Sequence, residues 1–308
     1  MSDLSQFKTS DREEGADVDY DNGQAKDRNA EKSKAVQWTR KSAGLFQSCA
    51  TTTSELPAGV YKYVNAGMGM AFEEQTVNVD ELLTMPDSLC DKIMQEIQVF
   101  LTTEETFRQY NIRHARGYLF YGPPGSGKTS LVNQVVKNIL NQDGVVLICN
   151  NPTNLEQGLK DLRSVEPDRF IVCMFEDIDA LICNYGEREI LAVLDGESQV
   201  NKVLNIATTN YPQKLDRRIV SRPRRFDRVI EIGFPSEALR RHYFEHKLKI
   251  AKGELEVWVK ATKDFSFGAC TDLLVSVKCL GNDFDSSVNI LRDMMAPYTK
   301  KPVKKKKE

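Results

Sequence analysis

Gly122-Pro123-Pro124-Gly125-Ser126-Gly127-Lys128-Thr129 sets glycines, a lysine and a hydroxyl in the order G-x-x-x-x-G-K-[ST], with Ser130 following. Each position has a chemical reason. The glycines let backbone N–H groups wrap a chain of phosphates, Lys128 reaches the outer phosphates, and Thr129 can hold Mg²⁺ through its hydroxyl. Further along, the apolar run Phe170–Phe175 ends in Glu176-Asp177-Ile178-Asp179. Carboxylates delivered at the end of a buried strand suit a phosphate–metal site: one supports Mg²⁺ or its water, and the next orients and deprotonates an attacking water. A second apolar run, VLNIATT, ends at Asn210, whose amide could position that water or simply start the Asn-Tyr-Pro turn. Leu215-Asp-Arg-Arg-Ile-Val-Ser-Arg222-Pro-Arg-Arg225-Phe-Asp-Arg228 then crowds guanidinium groups together. So many are not expected to be satisfied within one monomer. A polyanion, an acidic partner, or the outer phosphate of a neighbouring subunit would use them, against a plain solvated basic loop.

These residues need a scaffold. GYLFY, GVVLIC, RFIVCMF and VLNIATT are continuous apolar runs of strand length, with helical stretches between them. Strands buried on both faces read this way, so the expected fold is α/β: a parallel sheet between two layers of helices. Strand GYLFY precedes the glycine loop and the helix-like SLVNQVVKNIL follows it, aiming a positive helix end at the phosphates. Before the sheet, GVYKYV and the alternating TVNV flank NAGMG and predict a small β-rich element within 51–85. Leu89, Ile93, Ile97, Phe100 and Leu101 then lie along one helical face, capped by Asp87 or Ser88. The core is placed at 86–235. From Ser236 the pattern is helical, giving a lid over 236–297.

Residues 1–34 carry nine acidic and six basic side chains and no Ile. Such a segment cannot offset its ordering entropy, so residues 1–50 are expected to form a disordered or weakly ordered arm. Residues 298–308 end in six lysines among nine residues, a solvated tail. The whole chain of 308 residues holds 42 Lys+Arg against 44 Asp+Glu, a net charge of −2, which excludes a general nucleic-acid or membrane coat but not a local patch. No run approaches the roughly 18 apolar residues of a membrane span. Seven scattered cysteines contain no C-x-x-C, so reduced thiols are expected. His242 and His246 share a helix face but have no third ligand at motif spacing. A soluble, cytoplasmic protein is the expectation.

In order, GYLFYGPPGSGKTS, FEDIDAL, IATTN and LD…RPRRFDR resemble the AAA clade of ATPases associated with diverse cellular activities, over about residues 77–275. The stretch DKIMQEIQVFLTTEETFRQYNIRHARGYLFYGPPGSGKTS and the Glu-then-Asp order are most similar to the mitochondrial Rieske-protein translocase subfamily. The resemblance implies a P-loop NTPase fold, ATP, Mg²⁺ and a homo-oligomeric ring, usually a hexamer, with active sites between subunits. It makes Gly122 to Ser130 the phosphate loop, Thr129 and Glu176 the metal-associated residues and Asp177 the catalytic base. Asn210 becomes the first sensor, Arg222 and Arg225 the arginine fingers, and Gly268 and Ala269 the lid element near the nucleotide.

This chain departs from the clade's pattern in several places. Most members place Asp before Glu, whereas Glu176 precedes Asp177 here. The clade's Arg-Pro-Gly-Arg reads Arg222-Pro-Arg-Arg225, which leaves Arg224 as a substitute finger. CNNPTNLEQGLKDLRSVEPDRF lacks the aromatic–aliphatic–glycine loop that threading unfoldases use, and the translocase's membrane anchor is not found. The expectation is an ATP-hydrolysing ring that remodels a protein partner without threading it. A nucleic-acid-handling ATPase or loader is the alternative that the arginine loop and lysine tail suggest, and a non-hydrolysing ATP-binding scaffold is a third.

Overall fold

A computed structural model describes residues 37–42, 45–49, 52–67, 69–76, 88–195, 201–220, 225–248 and 251–299. Two units divide the chain at residues 53 and 54. In the first, β1 (Gln37–Ser42) and β2 (Leu45–Cys49) pair as an antiparallel hairpin with Gln37 opposite Cys49. The rest of the expected arm, and the lysine tail beyond residue 299, lie outside the described residues.

The second unit is built on one seven-stranded sheet. In chain order its strands are β3 (Gly59–Asn65), β4 (Met70–Glu74), β5 (Ala115–Tyr121), β6 (Val145–Ile148), β7 (Ile171–Phe175), β8 (Val203–Thr209) and β9 (Arg228–Glu231). They lie side by side as β4-β3-β6-β7-β8-β5-β9, antiparallel only between β3 and β4. Because side chains alternate along a strand, adjacent residues serve opposite faces. Leu119, Cys173 and Ala207 point to one layer, where α4 (Pro152–Val165), α5 (Ile178–Tyr185) and α6 (Glu187–Asp195) bring Leu155, Leu159, Ile178 and Ile190. Tyr118, Phe120, Val172 and Ile206 point to the other. There α1 (Ser88–Thr102) and α3 (Lys128–Leu140) bring Ile93, Ile97, Leu131 and Val135, with α2 (Glu104–Gln109) following α1. This is the α/β/α sandwich that the apolar runs predict.

At residues 59–74 the structure differs from the sequence reading. The hairpin is present, but its second strand is Met70–Glu74 rather than TVNV, of which residues 77–79 lie outside the described residues. A tight turn, closed by Ala66 N–H donating to the Gly69 carbonyl at 2.8 Å, sets Asn65 opposite Met70 and so fixes the register. β3 also pairs with β6, so the element is part of the main sheet. The Tyr63 hydroxyl bonds Asp161 on α4, and Glu166 accepts from Leu56 N–H at 2.7 Å, tying the element down.

Beyond Ser236, α8 (Glu237–Lys247), α9 (Lys252–Ala261), α10 (Phe267–Leu274) and α11 (Phe284–Thr299) pack Phe244, Trp258, Phe265 and Leu273 into a separate small core. The hydroxyls of Ser236 and Ser266 cap α8 and α10 by accepting from Leu239 and Ala269 N–H. The sequence reading did not assign α9. Gly253 and the β-branched Val257 and Val259 weaken its helical signal, whereas Leu255, Trp258 and Val259 are buried by tertiary packing.

The arginine-rich segment, Leu215 to Arg228, includes the short helix α7 (Arg217–Val220). The guanidinium groups described in it, those of Arg218, Arg225 and Arg228, are each paired with a carboxylate. Arg218 pairs with Glu187 at 2.8 Å and Asp216 at 3.2 Å, and Arg228 pairs with Glu96 at 2.8 Å. Arg225 is buried, bonded to the Asp195 carboxylate at the end of α6 and to the Arg218 carbonyl. The acids come from elements distant in sequence, which local charge counting cannot see. Gly117 permits this packing: a Cβ there would lie 1.8 Å from the Arg225 carbonyl oxygen. Removing one member of a buried ion pair strands the other charge. Asp195→Ala should therefore cost about 3 kcal/mol, the low end of such losses because Asp195 is itself partly exposed. Arg225→Ala should cost a similar amount, and Asp195→Asn less, as read from urea unfolding midpoints.

Candidate functional site

The glycine loop spans the gap between the end of β5 and the start of α3. Its path needs a residue free to take positive φ where it meets the lid: Gly125 has φ +70°, and a Cβ there would lie 2.9 Å from Ser266 Oγ and 3.2 Å from Gly268 N. The Gly125 carbonyl accepts from Phe267 N–H at 2.9 Å. Loop and lid are thus joined through main chain at the point where the sequence places both nucleotide-binding elements.

Lys128 opens α3 and is buried. Its ammonium donates to the Gly122 and Pro123 carbonyls, each at 2.9 Å, and to Asn210 Oδ1 at 2.7 Å. Burial pulls its pKa below the ordinary lysine value, and the Asp177 carboxylate acts in the opposite direction. Ser126 Oγ is buried with no protein partner, so the loop holds a polar atom facing inward with a bond still to make.

Glu176 and Asp177 follow β7 as the sequence predicts. Asp177 sits in left-handed backbone, φ 44° and ψ 56°, a conformation aspartate tolerates better than most residues. It is held there from both sides. Its N–H donates to Thr208 Oγ1 at 3.2 Å, and its carbonyl accepts from Ala180 N–H at 2.8 Å as α5 begins. The turn points its carboxylate at Asn210, whose Nδ2 donates to Asp177 Oδ1 at 3.3 Å. Beside it the Thr209 hydroxyl donates to Asp179 Oδ1 at 2.7 Å and accepts from Tyr211 N–H at 3.0 Å, fixing the chain on which Asn210 rides.

One cavity of about 730 Å³ collects most of these residues. Pro124 to Ser130, Glu176, Asp177, Asn210 and Gly268 all line it. Gly122 and Pro123 act from behind through their carbonyls. Ala269 faces the lid core instead, Arg225 lies in its own buried ion pair, and Arg222 and Arg224 fall outside the described residues. Sequence reasoning missed Thr208, Thr209 and Asp179; consecutive hydroxyls at the end of an otherwise apolar strand were the available signal. It also missed the apolar wall of Leu89, Ile232 and Leu239, together with Tyr243 and Thr271 on the lid side, which no local pattern marks.

The donor set fits a Mg²⁺-bound polyphosphate. The loop presents N–H groups and the orphaned Ser126 hydroxyl, α3 starts at the loop, and Lys128 supplies positive charge. Thr129 and Glu176 offer the hard oxygens that Mg²⁺ takes alongside phosphate oxygens.

Residues 118–234 match the ATPase family associated with various cellular activities (AAA). The chain is 32% identical over 167 residues to the ATPase family protein 2 homolog of Caenorhabditis elegans, covering 48% of this chain and 22% of the relative. It is 29% identical to the cell division cycle protein 48 homolog of Archaeoglobus fulgidus, over 56% of this chain and 26% of that one. To the proteasome-activating nucleotidase of Saccharolobus islandicus it is 26% identical, over 76% of this chain and 64% of that one. It thus spans about a fifth to a quarter of the first two relatives and less than two thirds of the third. The stretch that matches the AAA family, residues 118–234, contains the glycine loop, Glu176, Asp177 and Asn210, the residues that meet at the cavity.

Proposed function

We propose that this chain hydrolyses Mg-ATP to ADP and phosphate and does so in a ring of its own copies, a hexamer by resemblance, to remodel a protein partner in the cytoplasm. One observation carries the reading: Lys128, Thr129, Glu176, Asp177 and Asn210, drawn from three different strand ends, meet at one cavity. Lys128 and the loop N–H groups bind and neutralise the phosphates. Thr129 and Glu176 hold Mg²⁺, which supplies further positive charge to the outer phosphates when bound. Asn210 orients a water, and the Asp177 carboxylate, set by its left-handed turn, accepts the proton.

The relatives bear names that include ATPase and nucleotidase, in keeping with this chemistry. The Glu176-Asp177 order favours the Rieske-protein translocase subfamily as the nearest branch. Among the described residues no helix is long and apolar enough to cross a membrane. A non-threading cycle is favoured by the β6–β7 connection. Only Cys149 to Asn151 separate β6 from α4, and the Asn151 side chain accepts from Thr153 and Asn154 N–H to start the helix at once. A protein partner is favoured over nucleic acid because Arg218, Arg225 and Arg228 are already neutralised within the chain.

We assign the trans contribution to the outer phosphate to Arg222, with Arg224 as the alternative. Arg225, enclosed in its own subunit, braces the segment from behind.

Phosphate release from ATP by the purified chain tests the reading. Lys128→Ala should abolish nucleotide binding. Asp177→Asn should retain ATP and lower kcat at least about a hundredfold, in the range for loss of a general base. Full activity in Asp177→Asn would remove Asp177 from the mechanism, and wild-type protein that releases no phosphate would leave an ATP-binding scaffold. Arg222→Ala should be inactive alone yet recover turnover when mixed with Asp177→Asn subunits, which still offer Arg222 to a neighbour's intact site. Failure of that mixture to recover would refute the trans assignment.

A further inference from the structure

The lid side of the cavity holds two hydroxyls whose hydrogen-bond directions can be deduced. Tyr243 on α8 and Thr271 on α10 both line the cavity, with Phe267 between them and the glycine loop. The Tyr243 and Thr271 hydroxyl oxygens lie 2.7 Å apart. The Thr271 oxygen also lies 2.9 Å from the Phe267 carbonyl. A carbonyl only accepts, so that second contact requires the single Thr271 proton. Thr271 must then accept in its contact with Tyr243, and the Tyr243 proton is used there. Among the described residues Tyr243 has no further hydrogen-bond partner. Its oxygen is left with lone pairs and no free proton.

We infer that Tyr243, polarised by Thr271, is the residue that reads the nucleotide base, accepting from the 6-amino group of adenine and rejecting bases that carry a 6-oxo group. This inference rests on the nucleotide reading above and deepens it. The phosphate loop fixes one end of the cavity. Leu89, Ile232 and Leu239 supply apolar surface to the same cavity, and Tyr243 adds a hydroxyl-bearing side chain to its lining. Adenine places N–H donors at its 6-position, and hypoxanthine and guanine place a carbonyl oxygen there. Against a hydroxyl whose proton is engaged by Thr271, the amino group gains a bond, while an oxo group gains one only if Tyr243 gives up its bond to Thr271. A polar group that a competitor leaves unpaired is a strong source of discrimination. The deduced proton direction also makes Thr271 a positioning residue. It touches no base, yet it decides whether Tyr243 can donate.

Calorimetric binding of ADP and IDP to the full-length chain and its variants tests this without depending on hydrolysis. Wild-type protein should prefer ADP by about tenfold or more, the equivalent of one good hydrogen bond. Tyr243→Phe should remove about tenfold of that preference by weakening ADP while leaving IDP unchanged. Thr271→Val should act in the opposite manner: it frees the Tyr243 proton to donate, so IDP should tighten while ADP holds or weakens. Thr271→Ser, which restores the acceptor, should behave as wild type. Equal weakening of both nucleotides in Tyr243→Phe would mean that the ring only props the lid, and would overturn the inference. So would unchanged IDP affinity in Thr271→Val, or a wild-type preference for IDP. A wild-type chain that prefers ADP but releases no phosphate from ATP would retain this inference and refute the hydrolysis reading.

Discussion

A lysine ammonium buried at the head of a helix is the constraint from which the rest of the site follows. Taking such a charge out of water costs several kcal/mol, and Lys128 can stay charged only where enough negative partial charge converges on it. Two carbonyls of its own loop, the Asn210 amide oxygen and the field of the Asp177 carboxylate supply it. Charge-assisted hydrogen bonds contribute about 1.5–3 kcal/mol each, so three of them are of the right size to offset the burial. Burial nonetheless sets the net direction of the pKa shift, so the charge is held but not fully compensated. A polyphosphate would complete that compensation. Binding of an anion by the loop and the conformation of its lysine would then be two aspects of one imbalance.

That demand reaches into the fold. Asn210 and Asp177 can meet Lys128 only if β8, β7 and β5 lie side by side and end on the same edge, which the parallel registers of Tyr121 with Thr209 and of Phe175 with Ala207 achieve. The sheet must also be buried on both faces, because helices carry each parallel crossover. Full burial of β7 and β8 follows, and the ends of β5, β7 and β8 then set Lys128, Asp177 and Asn210 within reach of one another. Asp177 adds a local cost. Its left-handed backbone is maintained by Thr208 in front and α5 behind, so the carboxylate is aimed before any ligand arrives.

The same logic explains which parts could be read from sequence. Phosphate wrapping needs glycines, a lysine and a hydroxyl at fixed short spacing, so Gly122 to Ser130 is legible as chemistry. Apolar runs ending in Glu176-Asp177 and Asn210 are legible because a doubly buried strand has no polar alternation. What was hidden depends on partners far along the chain. Arg225 looks like one more exposed arginine until Asp195, thirty residues away, turns out to enclose it. Met70–Glu74 won the strand from the better-alternating TVNV because a turn bond set the register. Helix α9 is held by the lid core more than by its own propensity.

Tyr243 and Thr271 are the limiting case, since neither sits in a motif and they lie twenty-eight residues apart. Their meaning emerges only when three oxygen atoms are placed together and the protons are counted. In the reading proposed above, the phosphate half of the cavity is written in residue types, because any nucleoside triphosphate would present the same charges there. The base half is written in tertiary contacts, because telling one base from another depends on the direction of a single hydrogen bond. The Phe267 N–H to Gly125 carbonyl bond joins the lid to the glycine loop through main chain. Under the reading proposed above, a base held at Tyr243 and phosphates held at the loop would therefore act on one continuous stretch of backbone, with no charged side chain needed between them.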